Sequence, residues 1–183
     1  MNHFDVLVAD PPWKFGDGLG KRGAQANYSV MTTEAICAME IPLMQENAWA
    51  FIWAVSALLE DSLKVAAAWN FKVKSQLIWR KLTVNSKPHF GMGHYTRAAH
   101  ETCLVCTRGK VKPAARSIRS VFDAPMPRGE NGRVIHSAKP DRFFELVEEL
   151  TGPGLRRVEM FGRRQRKGWT VIGNEANKFK AAP

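Results

Sequence analysis

The sequence predicts a doubly wound α/β fold, in which helices cover both faces of a mainly parallel β-sheet. Two observations predict it: short apolar runs alternate with helical segments along the chain, and the run Ala48–Val55 is apolar at every position. A continuous apolar run is typical of a strand that is covered on both faces. The length of 183 residues fits one domain over residues 1–183, and in such sheets ligands bind at the carboxyl ends of the strands.

The first half of the chain is predicted to hold three strands and two helices. In order these are a strand over Phe4–Ala9, a helix over Thr32–Met39, a strand over Ala48–Val55, a helix that follows Ser56 and a strand over Phe71–Lys81. The prolines after the first strand end it, because proline cannot continue a central strand. Thr32 or Thr33 is suited to cap the first helix, and Ser56 the second. Helical spacing predicts the buried face of the second helix from Leu59, Leu63, Ala66 and Ala67.

The second half continues the alternation. Its predicted elements are a strand over Glu101–Thr107, a basic and mostly loop-like segment over Gly109–Arg133, a helix over Asp141–Leu150 with Pro140 in its first turn, and strands over Arg156–Phe161 and Trp169–Gly173. The apolar face of that helix comprises Phe143, Phe144, Val147 and Leu150. Cys103 and Cys106 have the spacing of metal and redox sites, but within a strand their side chains point to opposite faces. We therefore predict two small buried residues and no metal site.

The charge predicts a polyanionic partner. Lysine and arginine number 27 against 17 acidic residues, a net charge of +10, which favours nucleic acid over a membrane surface. Six basic residues between Arg156 and Gly168 form one set, and a second set comprises Arg108, Lys110, Lys112, Arg116 and Arg119. We expect both sets beside the site loops, where they would track phosphates; ordinary solvated faces are the alternative. No run approaches a membrane span, no signal peptide is visible, and the three cysteines favour the cytoplasm.

The sharpest motif is the tetrapeptide Asp10-Pro11-Pro12-Trp13, directly after the first predicted strand. It therefore lies at a strand's carboxyl end, and its two prolines make a stiff turn. A carboxylate, a carbonyl group and an indole face suit a planar group that bears an exocyclic amine. Asp10 and the Pro11 carbonyl would each accept a hydrogen bond from one of the two amine N–H groups, and the Trp13 ring would stack on the planar group.

Further motifs follow in one order along the chain. They are Ala50-Phe-Ile-Trp53, Leu77-Ile-Trp79-Arg-Lys81, Gly93-His94-Tyr95 with His100-Glu101-Thr-Cys-Leu-Val105, His136-Ser-Ala-Lys139-Pro140, Val158-Glu159-Met160-Phe161-Gly162-Arg163, and Gly168-Trp169 with Gly173-Asn174. Together with the tetrapeptide, this series resembles the S-adenosylmethionine-dependent adenine-N6 methyltransferases of the messenger-RNA adenosine methyltransferase catalytic-subunit type, in their bacterial or phage branch. The resemblance covers residues 5 to about 175. It implies a Rossmann-like methyltransferase sheet with a permuted motif order.

The resemblance also implies roles for individual residues. The catalytic residues would be Asp10, Pro11, Pro12 and Trp13. The cofactor S-adenosyl-L-methionine would be held by Asp10, by Lys139 at its methionine carboxylate, by Glu159 at its ribose hydroxyls, and by Met160, Phe161, Arg163, Asn174 and Glu175. Candidates to hold or guide the target base by stacking and polar contact are Tyr28, Trp79, Lys81, Arg97 and His100. After Arg163 the chain departs from the family pattern, which puts contacts at Gln165 and Arg166 in doubt.

The leading hypothesis is methyl transfer to the N6 amine of adenine in DNA. Asp10 and the Pro11 carbonyl would favour a pyramidal nitrogen whose lone pair faces the methyl group, so that alignment and electrostatics do most of the catalysis, with no metal required. The final proton acceptor is Asp10 or water. RNA is the alternative substrate, and a non-catalytic nucleic-acid-binding partner subunit is the alternative from another class. Cytosine-N4 transfer is a minor option. A homodimer or a partner subunit stays open, and the segment 14–27 is predicted to act as a lid.

Overall fold

The computed structural model describes residues 3–14, 30–91, 95–135, 137–174 and 176–177. Seven strands lie in these residues: β1 Phe4–Ala9, β2 Met44–Ala54, β3 Lys72–Leu82, β4 His100–Arg108, β5 Val121–Pro125, β6 Arg157–Met160 and β7 Trp169–Ile172. The helices are α1 Thr33–Cys37, a 3₁₀ turn Ser56–Leu58, α2 Leu59–Ala68 and α3 Asp141–Thr151. No helix within the described part of the chain is long and apolar enough to cross a membrane.

All seven strands form one sheet in the order β5-β3-β4-β2-β1-β6-β7. Strand β4 runs antiparallel to both of its neighbours, and every other pairing is parallel. The carboxyl ends of six strands and the amino end of β4 therefore lie along one edge, which we call the site edge. The structure confirms the predicted α/β class, with β1 at the centre of its parallel half.

The core consists of two layers, one on each face of the sheet. Side chains of β1 alternate between them: Leu7 and Ala9 pack with residues of α1 and α2, whereas Val6 and Val8 pack on the α3 side. Cys103 and Cys106 also lie in different layers, as the strand spacing predicts, and burial raises the pKa of the Cys106 thiol to about 12. All six tryptophans are buried, none with more than 8% of its surface exposed.

Local signals predicted the start of α1 and both ends of α3 to within one residue. The Thr32 side chain caps α1 by accepting a hydrogen bond from the Ala35 amide at 3.2 Å. Helix α3 buries Phe143, Phe144 and Val147, as its apolar stripe predicts. Helix α1 is shorter than expected and ends at Cys37 rather than Met39.

The predicted cap of α2 was wrong, its buried face was predicted only in part, and one strand inside a mostly loop-like segment was not predicted. Ser56 does not cap α2, because it begins a 3₁₀ turn. Of the residues predicted on the buried face of α2, Ala66 is buried, and the other buried positions are Ser62 and Val65. Leu59 and Leu63 are 46% and 45% exposed. The segment Gly109–Arg133 contains the edge strand β5, which was not predicted. This strand has only five residues, and with two buried side chains its alternation of apolar and polar residues is too short to recognise.

Candidate active site at the site edge

A cavity of about 650 Å³ opens at the site edge, next to the ends of β1, β6 and β7. Its volume is within the range of small-molecule pockets. The lining residues are Asp10, Pro12, Met31, Met39, Ser137, Met160, Phe161, Arg163, Ile172, Gly173 and Asn174. The structure thus brings together five of the residues expected at the cofactor: Asp10, Met160, Phe161, Arg163 and Asn174.

The turn after β1 is tied to the segment before α1. The Trp13 amide donates to the Pro11 carbonyl at 2.9 Å, and the Met31 amide donates to the Pro12 carbonyl at 2.7 Å. Each proline carbonyl therefore already has one backbone donor. The Pro11 oxygen keeps one lone pair, which is what a single further hydrogen bond from a substrate amine needs.

The indole of Trp13 does not face the cavity. It is 4% exposed, and its Nε1 donates to the carbonyl of Trp53 at 3.2 Å. A buried indole needs such an acceptor, and this one lies near the end of β2. The prediction that Trp13 offers a stacking face is wrong: its ring packs in the core and fixes the turn that presents Asp10.

Four charged side chains form an alternating row that ends at Asp10. The Lys81 ammonium contacts Glu101 at 2.6 Å, and the Lys139 ammonium contacts Glu101 at 3.4 Å and Asp10 Oδ2 at 2.5 Å. Lys139 also donates to the Ser137 carbonyl at 3.2 Å, so its three N–H donors have three acceptors. A contact between Lys139 and the carboxylate of a cofactor would require one of these acceptors to be exchanged.

The two acids of the charged row have pKa values that are shifted in opposite directions. Burial would raise the pKa of Glu101, but the ammonium groups of Lys139 and Lys81 outweigh it and lower that pKa to about 2. For Asp10, burial prevails over the Lys139 ammonium and raises the pKa above its usual value. Burial opposes the charge of Lys139, yet both carboxylates hold its pKa above the usual value. Asp10 is consequently the acid of the row that takes a proton more readily.

Glu159 lies on β6, the strand beside β1. Burial raises the pKa of its carboxyl to about 7, while the guanidinium groups of Arg166 and Arg164 act in the opposite direction. The loop beside it is tightly packed, because a Cβ on Gly173 would lie 2.7 Å from the Gly162 carbonyl oxygen. Glycine is required at position 173 for the two loops to meet at the cavity wall.

The first basic set is used largely inside the protein. Both Arg164 and Arg166 bind the Asp141 carboxylate at the start of α3, and the Arg166 guanidinium lies 3.7 Å from the centre of the Phe144 ring. Arg157 donates to main-chain carbonyls that include Leu155. Arg164 and Arg166 thus hold the loop after β6 against α3, and Arg157 holds the segment between α3 and β6, so the prediction of a phosphate-tracking surface is wrong for these three residues.

The second basic set does not lie beside the cavity. Strand β4 is antiparallel to β2, so Arg108 at its end pairs with Ala48 at the edge opposite Asp10. Arg108 itself donates to the Met44 and Gln45 carbonyls, and the Lys110 amide donates to Asn47. The prediction placed this set at the wrong edge, because the direction of β4 cannot be read from a local pattern.

The residues expected at the target base are dispersed. Trp79 is 2% exposed and its Nε1 donates to the Ala124 carbonyl at 2.8 Å, so the prediction that it stacks on a base is wrong. Lys81 belongs to the charged row, while Arg97 and His100 are exposed at the site edge. Tyr28, Glu175 and residues 15–27 of the expected lid lie outside the described residues.

Sequence reasoning missed Glu101 and several cavity residues. Glu101 was noted only within a motif, and its partners Lys81 and Lys139 are distant in sequence. Ser137 had a usable signal, because it belongs to the same short motif as Lys139. The remaining missed residues, which had no signal beyond their apolar or small side chains, are Met31, Met39, Ile172 and Gly173.

The sheet with its cavity at the carboxyl ends of the strands and the family match together place the chain in the class of Rossmann-like methyltransferases. The chain belongs to the MT-A70 family, whose model matches residues 4–175. It is 25% identical over 179 residues to the human N(6)-adenosine-methyltransferase catalytic subunit METTL3, covering 96% of this chain and 28% of that protein. It is 29% identical over 187 residues to the mouse N(6)-adenine-specific methyltransferase METTL4, covering 97% and 38%.

A prokaryotic relative is matched over more of its own length. The chain is 24% identical over 194 residues to the type II methyltransferase M.MunI of Mycoplasma sp, covering 94% of this chain and 77% of that protein. By contrast, the chain spans little more than a quarter of the METTL3 proteins that it matches.

Proposed function

We propose that this chain transfers a methyl group from S-adenosyl-L-methionine to the N6 amine of adenine in nucleic acid, with DNA as the favoured polymer. The observation that carries this proposal is the Asp10 carboxylate, which lines the cavity while Lys139 binds its Oδ2 atom. Lys139 donates to Oδ2, and in this proposal the substrate amine donates to the second carboxylate oxygen, Oδ1.

The cavity suits S-adenosyl-L-methionine in its size and in its mixture of side chains. Met160, Phe161 and Ile172 supply apolar walls, and Asn174 and Ser137 supply polar groups. Close packing of Gly173 on Gly162 lets the backbone itself form part of the wall. Glu159 would accept hydrogen bonds from the ribose hydroxyls, as an acid at the end of a parallel strand commonly does.

The chemistry of the row suits an amine nucleophile. S-adenosyl-L-methionine supplies a methyl group on a positively charged sulfur, and the adenine nitrogen displaces that sulfur as its new N–C bond forms. Asp10 would accept a hydrogen bond from the amine, which aims the nitrogen lone pair and stabilises its developing positive charge. Because burial raises the pKa of Asp10, this carboxylate is also suited to receive the proton that the nitrogen loses.

DNA is favoured because M.MunI, a DNA methyltransferase, is matched over 77% of its own length, whereas human METTL3 is matched over only 28%. RNA remains the second substrate of this proposal, because the METTL3 relatives and a fungal relative in Cryphonectria parasitica carry names that specify adenosine or RNA. A non-catalytic partner subunit is less well supported, since Asp10 lines the cavity, Lys139 binds Asp10, and Glu159 is close enough for both to act on its carboxyl group.

Tritium transfer tests the proposed function directly. Labelled S-adenosyl-L-methionine is incubated with the chain and with single-stranded DNA, duplex DNA or RNA of matched sequence, and the nucleosides are then separated. We expect label in N6-methyladenine, with more of it on DNA than on RNA. Label in N4-methylcytosine, or none on any polymer while the cofactor is bound, would contradict the proposal.

Cofactor affinity should depend on pH through Glu159. Its pKa is about 7, and the ionised form is the better acceptor of hydrogen bonds from the ribose hydroxyls, so cofactor affinity should rise between pH 6 and pH 8. Well below this pKa, cofactor affinity should fall by about tenfold for each unit of pH. Titration calorimetry over this range measures the effect. Glu159→Gln should bind more weakly at pH 8 and with a flat profile; the same slope in that variant would assign the titration to another group.

A further inference from the structure

Large hydrophobic side chains are exposed on the loop between β3 and β4. Val84, Phe90 and Tyr95 expose 65%, 76% and 101% of their surfaces. Exposed aromatic rings are uncommon on a chain that buries all of its tryptophans, and groups of exposed apolar side chains mark interaction sites. This loop belongs to neither the cavity nor the charged row, so the proposed chemistry leaves its aromatic residues unexplained.

The loop is closed at its base by main-chain contacts. The Lys81 amide donates to the Ala99 carbonyl, and the His89 amide donates to the Lys81 carbonyl, both at 2.9 Å. Further out, Gly91 packs against Ala98 so closely that a Cβ on Gly91 would lie 2.2 Å from the Ala98 oxygen. The backbone next to Phe90 is therefore fixed by the contact between Gly91 and Ala98, while the Phe90 ring itself is exposed.

Positive charge accompanies the exposed rings. The Arg97 guanidinium lies 5.2 Å from the centre of the Phe90 ring, Lys87 is exposed, and residues 83–99 contain no acid. The neighbouring turn between β5 and α3 adds exposed Arg128 and Arg133, with one acid, Glu130, between them, so the two segments together remain basic. A hydrogen bond from the Met126 amide to the Leu82 carbonyl joins the two segments. We refer to Lys87, Phe90, Arg97, Arg128 and Arg133 as the Phe90 surface.

The Phe90 surface lies on the same side of the molecule as Asp10. It follows the carboxyl ends of β3 and β5, which are at the site edge. Lys81 connects the two regions, because its carbonyl binds the His89 amide while its ammonium group binds Glu101 in the charged row. A strand that delivers an adenine to Asp10 would cross this edge.

We propose that the Phe90 surface binds an unpaired nucleic-acid strand, with the Phe90 ring stacked on a base that neighbours the target adenine. This inference rests on the proposed function. The occupant is a polyanion because the surface is basic within a chain of net charge +10. It is unpaired because a protruding ring needs an open base face, and bases within a duplex stack on each other. The Arg97 guanidinium supports the ring from its other side.

Fluorescence anisotropy with a labelled, adenine-containing single-stranded oligonucleotide and its matched duplex tests this surface. Phe90→Ala should weaken single-strand binding about tenfold, which is the loss of one base-stacking contact. Phe90→Trp should restore the affinity, because it replaces the stacking face. Lys87→Gln should weaken binding, and the slope of log affinity against log salt concentration should become shallower by about one.

Matched controls lie at the opposite edge of the sheet. Leu43→Ala removes an exposed hydrophobic side chain before β2, and Lys110→Gln removes an exposed charge after β4. Neither should change single-strand affinity more than about twofold. Equal losses in Leu43→Ala and Phe90→Ala, no loss in Phe90→Ala, or an equal loss for the duplex would overturn the proposal.

Two further readouts separate this inference from the proposed function. If the wild-type chain binds the strand through Phe90 but transfers no methyl group, the proposed function fails and the surface stands. If it methylates the strand and Phe90→Ala changes neither KM nor affinity, the surface is wrong and the function stands. A change in sedimentation mass in Phe90→Ala would show instead that the surface joins two copies of the chain.

Discussion

Asp10→Ala is expected to lower the rate of methyl transfer by about a thousandfold or more, while cofactor affinity stays within about threefold. The variant removes the group that orients the amine and stabilises its developing charge. It leaves the apolar wall of Met160, Phe161 and Ile172 in place. Single-turnover tritium transfer measures the rate, and calorimetry measures cofactor affinity.

The isosteric Asp10→Asn variant separates charge from shape. Its amide keeps an oxygen that can accept the amine hydrogen bond, but it can neither stabilise a positive nitrogen as well nor take a proton. We expect it to be nearly as inactive as Asp10→Ala. Asp123→Asn is the matched control. Asp123 lies on the outer strand β5, and its exposed carboxylate pairs with Arg80 of β3. Retention of turnover in Asp10→Asn would remove Asp10 from the reaction.

Lys139→Met is expected to be inactive at neutral pH and less stable by about 3 kcal/mol. Lys139 is 8% exposed and lies between two carboxylates, so its loss leaves Asp10 and Glu101 facing each other without a cation between them. One of them would then take up a proton, and Asp10 is the readier to do so because burial already raises its pKa. Chemical unfolding and single-turnover kinetics measure the two effects.

The stability loss in Lys139→Met should depend on pH. Wild-type Glu101 has a pKa of about 2 against 4.5 ordinarily, so its ion pairs stabilise the fold above about pH 4.5 and cease to do so as the pH falls towards 2. The difference from wild type should therefore be largest at neutral pH and shrink below pH 4.5. Lys64→Met, which breaks an exposed pair with Asp61, is the control and should change stability far less at every pH, because solvent screens an exposed pair. A loss in Lys139→Met that is constant with pH would contradict the ion-pair explanation.

The parts of the site that sequence predicted were those that local pattern determines. The tetrapeptide at Asp10 follows a strand and so had to lie at a carboxyl edge, and the motif around Met160 follows another parallel strand. These two strands are neighbours, which brings Asp10, Met160 and Phe161 to one cavity. Helix α3 was predicted for a similar reason, because a single apolar stripe fixes its buried face.

The parts that sequence did not predict depend on partners from distant segments. Whether Trp13 and Trp79 stack on a base or pack in the core depends on carbonyl acceptors at Trp53 and Ala124, which no local spacing reveals. The role of Glu101 depends on β4 running in reverse, since this orientation carries the start of that strand to the site edge. The same reversal carries Arg108 away from it.

Because all six indole rings lie in the core, the near-ultraviolet emission of this chain originates in its interior. The Trp13 indole belongs to the Asp10 turn and donates to the Trp53 carbonyl, and the Lys139 ammonium lies 5.0 Å from the centre of the Trp53 ring, so a ligand that displaces Lys139 or the Asp10 turn is expected to change the emission of these two tryptophans. The Phe90 surface contains no tryptophan, so a polymer bound to it contacts no indole ring of that surface. Tryptophan emission therefore distinguishes optically between occupancy of the cavity and contact with the outer loop, without any label on the protein.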